Sequence, residues 1–123
     1  QSVAGDSRYY YVTDVLGHCC FRFNARTLQV ENIGDWKQTQ GMSQEKNVMR
    51  NPHSIAVDER FAYVTHTSPS QISVYHKQSL TFVKVLRDKS SWKTNLNRPH
   101  GIRVDEKFLY IADRGNSRIL VCS

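Results

Sequence analysis

The chain has 123 residues, of which 39% are hydrophobic and 23% are charged, and its formal net charge is +6. This length suits one domain, and with six glycines, three prolines and three cysteines the composition excludes collagen-like, low-complexity and disulfide-dense proteins. No run of 18 apolar residues occurs, so we expect no membrane-spanning helix and no membrane partner.

The first predicted unit covers residues 1–33 and contains four short strands. Its second strand at 9–14 reads YYYVTD, its third lies at 19–23, and its fourth at 28–30. Aromatic and β-branched residues of this kind favour strands. We therefore predict a small antiparallel sheet.

Two further units, at 50–86 and 97–123, have the same strand pattern. The predicted strands lie at 55–57, 61–65, 71–75 and 81–86, and then at 102–104, 108–112 and 118–122. In both units the first strand ends at an Asp-Glu pair, which is typical of a tight turn. The last unit has three strands where the others have four.

These units are copies of one repeat. Residues 51–66 read NPHSIAVDERFAYVTH, and residues 98–113, displaced by 47 positions, read RPHGIRVDEKFLYIAD. The first unit is displaced by 52 positions, which places Asp6 opposite Asp58. Four short antiparallel strands that repeat every ~40–50 residues are typical of β-propeller blades.

The last copy carries the clearest family resemblance. Its segments PHGIRVD, LYIAD and GNSRILV resemble an NHL repeat. The other copies depart from the pattern: His66 stands where the family has Asp, and Gln71 and Cys19 stand where it has Arg. The resemblance implies an all-β fold of NHL-type β-propeller blades, each of four antiparallel strands, with about three blades at 1–33, 50–86 and 97–123.

Eleven predicted strands do not complete a propeller. Closed rings generally have four to eight blades, and an open stack would expose sheet faces and edges. We therefore expect the remaining blades to come from a longer chain or from a second copy, in which two chains make six blades.

Propeller topology places several polar residues on one face. The entrances to the first strands and the connections from second to third strands share that face, as do the long loops at 34–51 and 87–98, which contain both tryptophans. Loops on a rigid scaffold commonly carry binding residues. The candidate binding residues are Arg50, His53, His66, Lys89, Trp92, Lys93, Arg98 and His100.

Basic residues beside tryptophan suit base stacking with phosphate contacts, or an acidic protein surface. We therefore predict a non-catalytic recognition module that binds a protein or RNA partner through this basic face and requires no cofactor. NHL proteins include scaffolds, RNA binders and a few enzymes, so the fold does not decide function. A structural role within the ring of a larger assembly is an alternative prediction.

A second resemblance gives an enzymatic alternative. The Pro-His starts and the segment YYVTDV are similar to those of peptidyl-hydroxyglycine amidating lyases, whose propeller holds zinc. This resemblance implies a zinc-dependent lyase or hydrolase fragment with His53 and His100 as metal ligands. Catalytic zinc normally takes three protein ligands, so a third histidine would have to come from elsewhere. Each imidazole could instead bond a neighbouring backbone group or line a metal-free pocket.

The aspartates of the repeat are predicted to be structural. Asp14 and Asp113 follow second strands, and Asp58 and Asp105 lie in first-to-second hairpins, where an Asp side chain commonly closes a turn.

The cysteines indicate the compartment. Adjacent residues such as Cys19 and Cys20 rarely bridge each other, and neither forms a C-x-x-C pattern with Cys122. We expect three reduced thiols and a cytoplasmic chain, although a mature secreted chain would fit as well.

Overall fold

The computed structural model describes residues 2–14, 19–35, 51–68, 70–86 and 95–122, with the backbone alone for 32–35. These residues form three separate antiparallel sheets in which spatial order follows chain order. Blade 1 consists of β1 (Ser2–Gly5), β2 (Tyr9–Asp14), β3 (Cys19–Asn24) and β4 (Val30–Asp35). Blade 2 consists of β5 (Pro52–Val57), β6 (Phe61–Thr67), β7 (Ser70–His76) and β8 (Phe82–Leu86). Blade 3 consists of β9 (Pro99–Val104), β10 (Leu109–Asp113) and β11 (Arg118–Cys122), with a 3-10 turn at Arg114–Asn116.

The predicted all-β fold and the blade pattern are confirmed, with corrections at strand ends. The first strands of blades 2 and 3 begin at their prolines, earlier than predicted. β4 begins at Val30 and not at Leu28, because Leu28 has a φ of 62° and belongs to the turn. His66, expected in a connection, lies within β6, since β6 and β7 pair as far as Thr67 and Ser70. The described residues include no helix that is long and apolar enough to cross a membrane.

One hairpin turn is repeated in all three blades. The Asp58 Oδ1 atom accepts the backbone N–H groups of Arg60 (2.8 Å) and Phe61 (2.7 Å), while Oδ2 accepts the Tyr63 hydroxyl (2.7 Å). Equivalent turns are built on Asp6 and Asp105. These carboxylates therefore close turns, as the sequence predicted.

The apolar core lies between neighbouring blades. Burial of these side chains supplies the main attraction between the sheets. The cluster between blades 1 and 2 comprises Tyr11, Cys20, Ile55, Ala62, Val64 and Tyr75. The cluster between blades 2 and 3 comprises Ala56, Ile72, Leu96, Ile102, Leu109, Ile111 and Cys122. The three cysteines form no disulfide.

Threonine hydroxyls join each blade to the next. The Thr13 hydroxyl donates to the His53 carbonyl oxygen at 3.0 Å, and the Thr65 hydroxyl donates to the His100 carbonyl oxygen at 2.6 Å. Both threonines are fully buried. Repetition of the same bond shows that the two interfaces are built alike, with β1, β5 and β9 side by side.

A buried arginine makes a second link between blades 1 and 2. The Arg22 guanidinium is 5% exposed and donates to the Lys77 carbonyl (2.6 Å) and the Gln78 carbonyl (3.2 Å) of blade 2. It also pairs with Glu31 at 3.1 Å and lies 4.2 Å from the centre of the Tyr9 ring. The charge is therefore paired and hydrogen-bonded, as a buried charge requires.

Candidate binding site at the channel mouth

The segment that enters β9 is fastened to the turn that follows β10. The Asn97 N–H donates to Asp113 Oδ1 at 2.8 Å, and the Gly115 N–H donates to the Asn97 carbonyl at 2.7 Å. A Cβ atom at Gly115 would lie 2.5 Å from that carbonyl oxygen, so glycine is needed there. These contacts bring the entrance of a first strand and the turn after a second strand to one face.

An ion pair holds this turn in blade 3. Asp113 is fully buried, and its Oδ2 atom accepts the Arg118 Nε–H at 2.8 Å and the Asn116 side-chain amide at 2.8 Å. With the bond from Asn97, three donors surround this carboxylate. Asp113 is therefore a structural group, as predicted.

Blade 2 carries different residues at the two positions that form this ion pair in blade 3. His66 and Gln71 take the places of the aspartate and arginine, and both are fully buried. The His66 Nε2 atom lies 2.9 Å from the Ser73 hydroxyl, whereas neither polar atom of the Gln71 side chain has a hydrogen-bond partner among the described residues. The departures from the family pattern thus leave an unsatisfied amide in the protein interior.

Two imidazoles from neighbouring blades lie against each other. The rings of His53 and His100 have centroids 3.8 Å apart, with an interplanar angle of 33°, and both are half-buried. Their backbone carbonyls are held by the two threonine bonds described above, so the position of each ring follows from the blade interface.

The surroundings favour the neutral form of both rings. Partial burial lowers the pKa of His53 and of His100 below the usual histidine value. For His100 the neighbouring His53 and the charges of Arg114 and Arg98 lower the pKa further, and the Arg114 charge also acts on His53. The Arg114 Nη1 atom lies 3.4 Å from His100 Nε2.

Two exposed arginines flank this histidine pair. Arg98 directly precedes Pro99, and Arg114 begins the 3-10 turn. Among the described residues neither guanidinium forms a salt bridge. The equivalent positions of blade 2 hold Asn51 and Thr67, so these two charges belong to blade 3 alone.

The structure brings together only some of the predicted binding residues. His53, His100 and Arg98 share this mouth, whereas His66 is buried within β6. Four predicted residues lie outside the described part of the chain: Arg50, Lys89, Trp92 and Lys93. Sequence reasoning missed Arg114, although its replacement of the blade 2 threonine was a readable signal.

The described residues do not fit a catalytic zinc site. They contain no group of three or more His, Cys, Asp or Glu side chains that could hold a metal ion, and His53 and His100 supply only two of the three protein ligands that such zinc takes. The Arg114 guanidinium beside His100 would also repel a divalent cation. We therefore derive no zinc chemistry from this pair.

The first-to-second hairpins, at the opposite end of the strands, carry mainly acidic side chains. They line a groove of about 640 Å³ whose charged residues include both signs, with the acidic ones more numerous: Asp6, Asp58, Glu59, Asp105 and Glu106 beside Arg60 and Lys77. Asp58 and Asp105 are held by the turn bonds described above. The two mouths therefore present different charges to an approaching partner.

Comparison with known proteins identifies the repeat. The family model for the NHL repeat matches residues 96–122. The NHL resemblance predicted from the sequence is thereby confirmed for the last copy of the repeat, and the three sheets are consistent with blades of an incomplete propeller.

A solved structure supports the fold across the whole chain. Hydrazine synthase from Kuenenia stuttgartiensis, a β-propeller-type protein, superimposes with a TM-score of 0.61 at 18% sequence identity. The match covers 97% of this chain and 34% of that one, so the chain spans about a third of its length. At this identity the likeness concerns fold alone. No curated protein matches the chain.

Proposed function

We propose that this NHL propeller module is a non-catalytic recognition module, which binds a protein or RNA partner through the mouth formed by His53, His100, Arg98 and Arg114. The observation that carries the proposal is a pair of exposed guanidinium groups, beside two half-buried imidazoles, that form no salt bridge with any other described residue. Exposed, unpaired cations on a rigid scaffold attract anionic partners.

The hydrogen-bond partners of His100 and Asp113 favour binding over catalysis. An imidazole that acts as a general base is normally oriented by a second polar group such as a carboxylate. Arg114 is the side-chain partner of His100, and a cation beside the ring lowers its basicity. The Asp113 carboxylate is occupied by Arg118 and the turn.

Charge reversal tests the proposal. Arg98→Glu is expected to weaken binding of both a fluorescent ten-nucleotide oligouridine and a fluorescent octaglutamate peptide, measured by anisotropy, because it places a carboxylate at the mouth. Lys107→Glu at the opposite end is the matched control, since Lys107 is also exposed. RNA binding should fall by about 0.7 log unit per log unit of salt for each phosphate contacted. Unchanged binding of both probes by the Arg98 variant, or binding of neither by the natural chain, contradicts the proposal.

We also propose that the outer faces of blades 1 and 3 pack against further blades, from a longer chain or from a second copy. Such blades would make the chain part of a ring in a larger assembly. Large apolar side chains are exposed on both faces, and each occupies a repeat position that is buried where two blades meet, except Val30, whose blade 2 equivalent Phe82 is half-buried against the cluster between blades 1 and 2. On blade 1 they are Val3, Tyr10 and Val30, and on blade 3 they are Ile119 and Val121.

Solution mass tests this packing. Two copies that complete a ring should have the mass of two chains by light scattering, and Val3→Asp combined with Ile119→Asp should restore a single-chain mass. A single-chain mass for the unmodified protein excludes the second copy and leaves further blades of a longer chain. A two-chain mass that persists in the double variant contradicts the assignment of these faces.

A further inference from the structure

We infer that the ligand at this mouth is an acidic protein segment, one carboxylate of which lies between Arg98, Arg114 and the paired imidazoles. This inference rests on the proposed recognition function and specifies the chemistry of the partner. Four side chains support this inference: the two arginines would pair with an incoming carboxylate, and the two imidazoles would become easier to protonate beside it.

The backbone conformation at Arg98 does not explain why arginine stands at this position. Its φ is 55°, in the left-handed region that Asn tolerates better than Arg. The equivalent residue of blade 2 is Asn51, with a φ of 49° at the same place before proline. Arg98 is exposed and its backbone N–H is bonded to the Ser70 hydroxyl at 2.8 Å. The backbone is therefore fixed, while the charged side chain is exposed and pairs with no carboxylate of the described ranges.

Arg114 and His100 form the second half of the site. Their nitrogens are 3.4 Å apart, so a single carboxylate can contact both. A guanidinium presents parallel N–H donors that match the two oxygens of a carboxylate. A carboxylate there would also favour protonation of His100 and His53, which are held largely neutral in its absence.

The charges around the His53 and His100 rings determine how the affinity for a carboxylate depends on pH. Arg98 and Arg114 approach from blade 3, and Asp14 ends β2, next to the threonine that bonds the His53 carbonyl. Asp113 remains paired with Arg118. Arg98 and Arg114 are thus the cations that act on the pair from blade 3, so an added carboxylate gains from both arginines and from each imidazole that becomes protonated.

The described part of the mouth favours a peptide over RNA. Single-stranded nucleic acid is generally held by a track of cations together with aromatic side chains on which bases stack. The cations here form one compact cluster, and the exposed aromatic rings of the described residues, Tyr10 and Phe108, lie on the outer face of blade 1 and at the opposite mouth. One acidic side chain, and not a run of phosphates, matches this arrangement.

The decisive experiment exchanges blade 3 residues for those of blade 2. In Arg98→Asn with Arg114→Thr, both positions receive the residue that the repeat already carries 47 positions earlier, so the fold should persist and circular dichroism should be unchanged. The control, Arg60→Ser with Lys107→Ser, removes two exposed charges from the opposite mouth. We expect the dissociation constant for an octaglutamate peptide to rise about tenfold or more in the first variant and to stay within about twofold in the control.

Two further measurements distinguish a failure of this inference from a failure of the proposed function. Affinity of the natural chain for octaglutamate should increase between about pH 7.5 and 5.5, and His53→Gln with His100→Gln should abolish that increase. Binding of oligouridine but not of octaglutamate, lost in the arginine double variant, overturns the peptide assignment and leaves the recognition function standing. Octaglutamate binding that is equal in the arginine variant and its control overturns the site itself.

Discussion

Blades 2 and 3 contain equivalent residues in opposite environments. Ile72 is 0% exposed and Val74 is 2% exposed, whereas their equivalents Ile119 and Val121 are 67% and 55% exposed. The residue types are identical at both positions, so the repeat determines which amino acid occurs at each of them. Whether the side chain is buried depends on the next blade. The apolar pattern of a strand therefore predicts which side chains a neighbouring blade would bury. It does not show that such a blade is present.

The largest expected effect tests this difference directly. Ile72→Ala should lower the free energy of unfolding by about 3 kcal/mol, because it removes a fully buried side chain from the interface of blades 2 and 3. Ile119→Ala should cost less than about 1 kcal/mol, since most of its side chain already contacts solvent. Urea unfolding measures both. Equal losses would show that blade 3 is covered on its outer face.

The second prediction concerns the turn chemistry of the two blades. Asp113→Asn should destabilise the protein by about 2 kcal/mol, because it removes the charge that pairs with Arg118 from a fully buried position. Arg118→Gln serves as the partner variant, and thermal unfolding of the two singles and the double gives the coupling energy. Additive effects would contradict the ion pair.

A third prediction transfers that chemistry to blade 2. His66→Asp combined with Gln71→Arg should raise the free energy of unfolding by about 1 kcal/mol, because the new pair replaces a buried amide that has no hydrogen-bond partner in the described part of the chain. Each single substitution should destabilise, since it buries an unpaired charge. A double variant less stable than the natural chain would show that the two turns are not interchangeable.

A fourth prediction concerns the pH dependence of the shared hairpin. Burial acts to raise the pKa of Asp6, but the N–H groups of Arg8 and Tyr9 and the charge of Lys77 outweigh it and lower the pKa to about 2. The folded state binds this proton less readily than the unfolded state, so the stabilisation is present above the ordinary pKa of 3.8 and is lost as pH falls towards about 2. Asp6→Asn should flatten the curve of stability against pH in that window. An unchanged curve would mean that the hairpin bonds do not hold the carboxylate ionised.

Much of the fold could be predicted from sequence because it depends on repetition. The 47-residue displacement aligned Asp58 with Asp105 and gave both the strand order and the turn chemistry. The burial of His66 could not be predicted, because β6 extends two residues further than its apolar pattern. The pairing of His53 with His100 required the rotation between blades, which no local pattern encodes. Arg114 became a candidate only when the structure placed it beside His100.

The most direct test of the fold and the site together is the proximity of His53 and His100 in solution. Their ring centroids are 3.8 Å apart only because blades 2 and 3 pack side by side with their first strands adjacent. With selectively labelled histidine, nuclear Overhauser spectra should show strong cross-peaks between the ring protons of these two residues, and His53→Gln should remove them. Spectra in which both ring systems are assigned and no cross-peak joins them would contradict the stacked-blade arrangement and the binding site built on it.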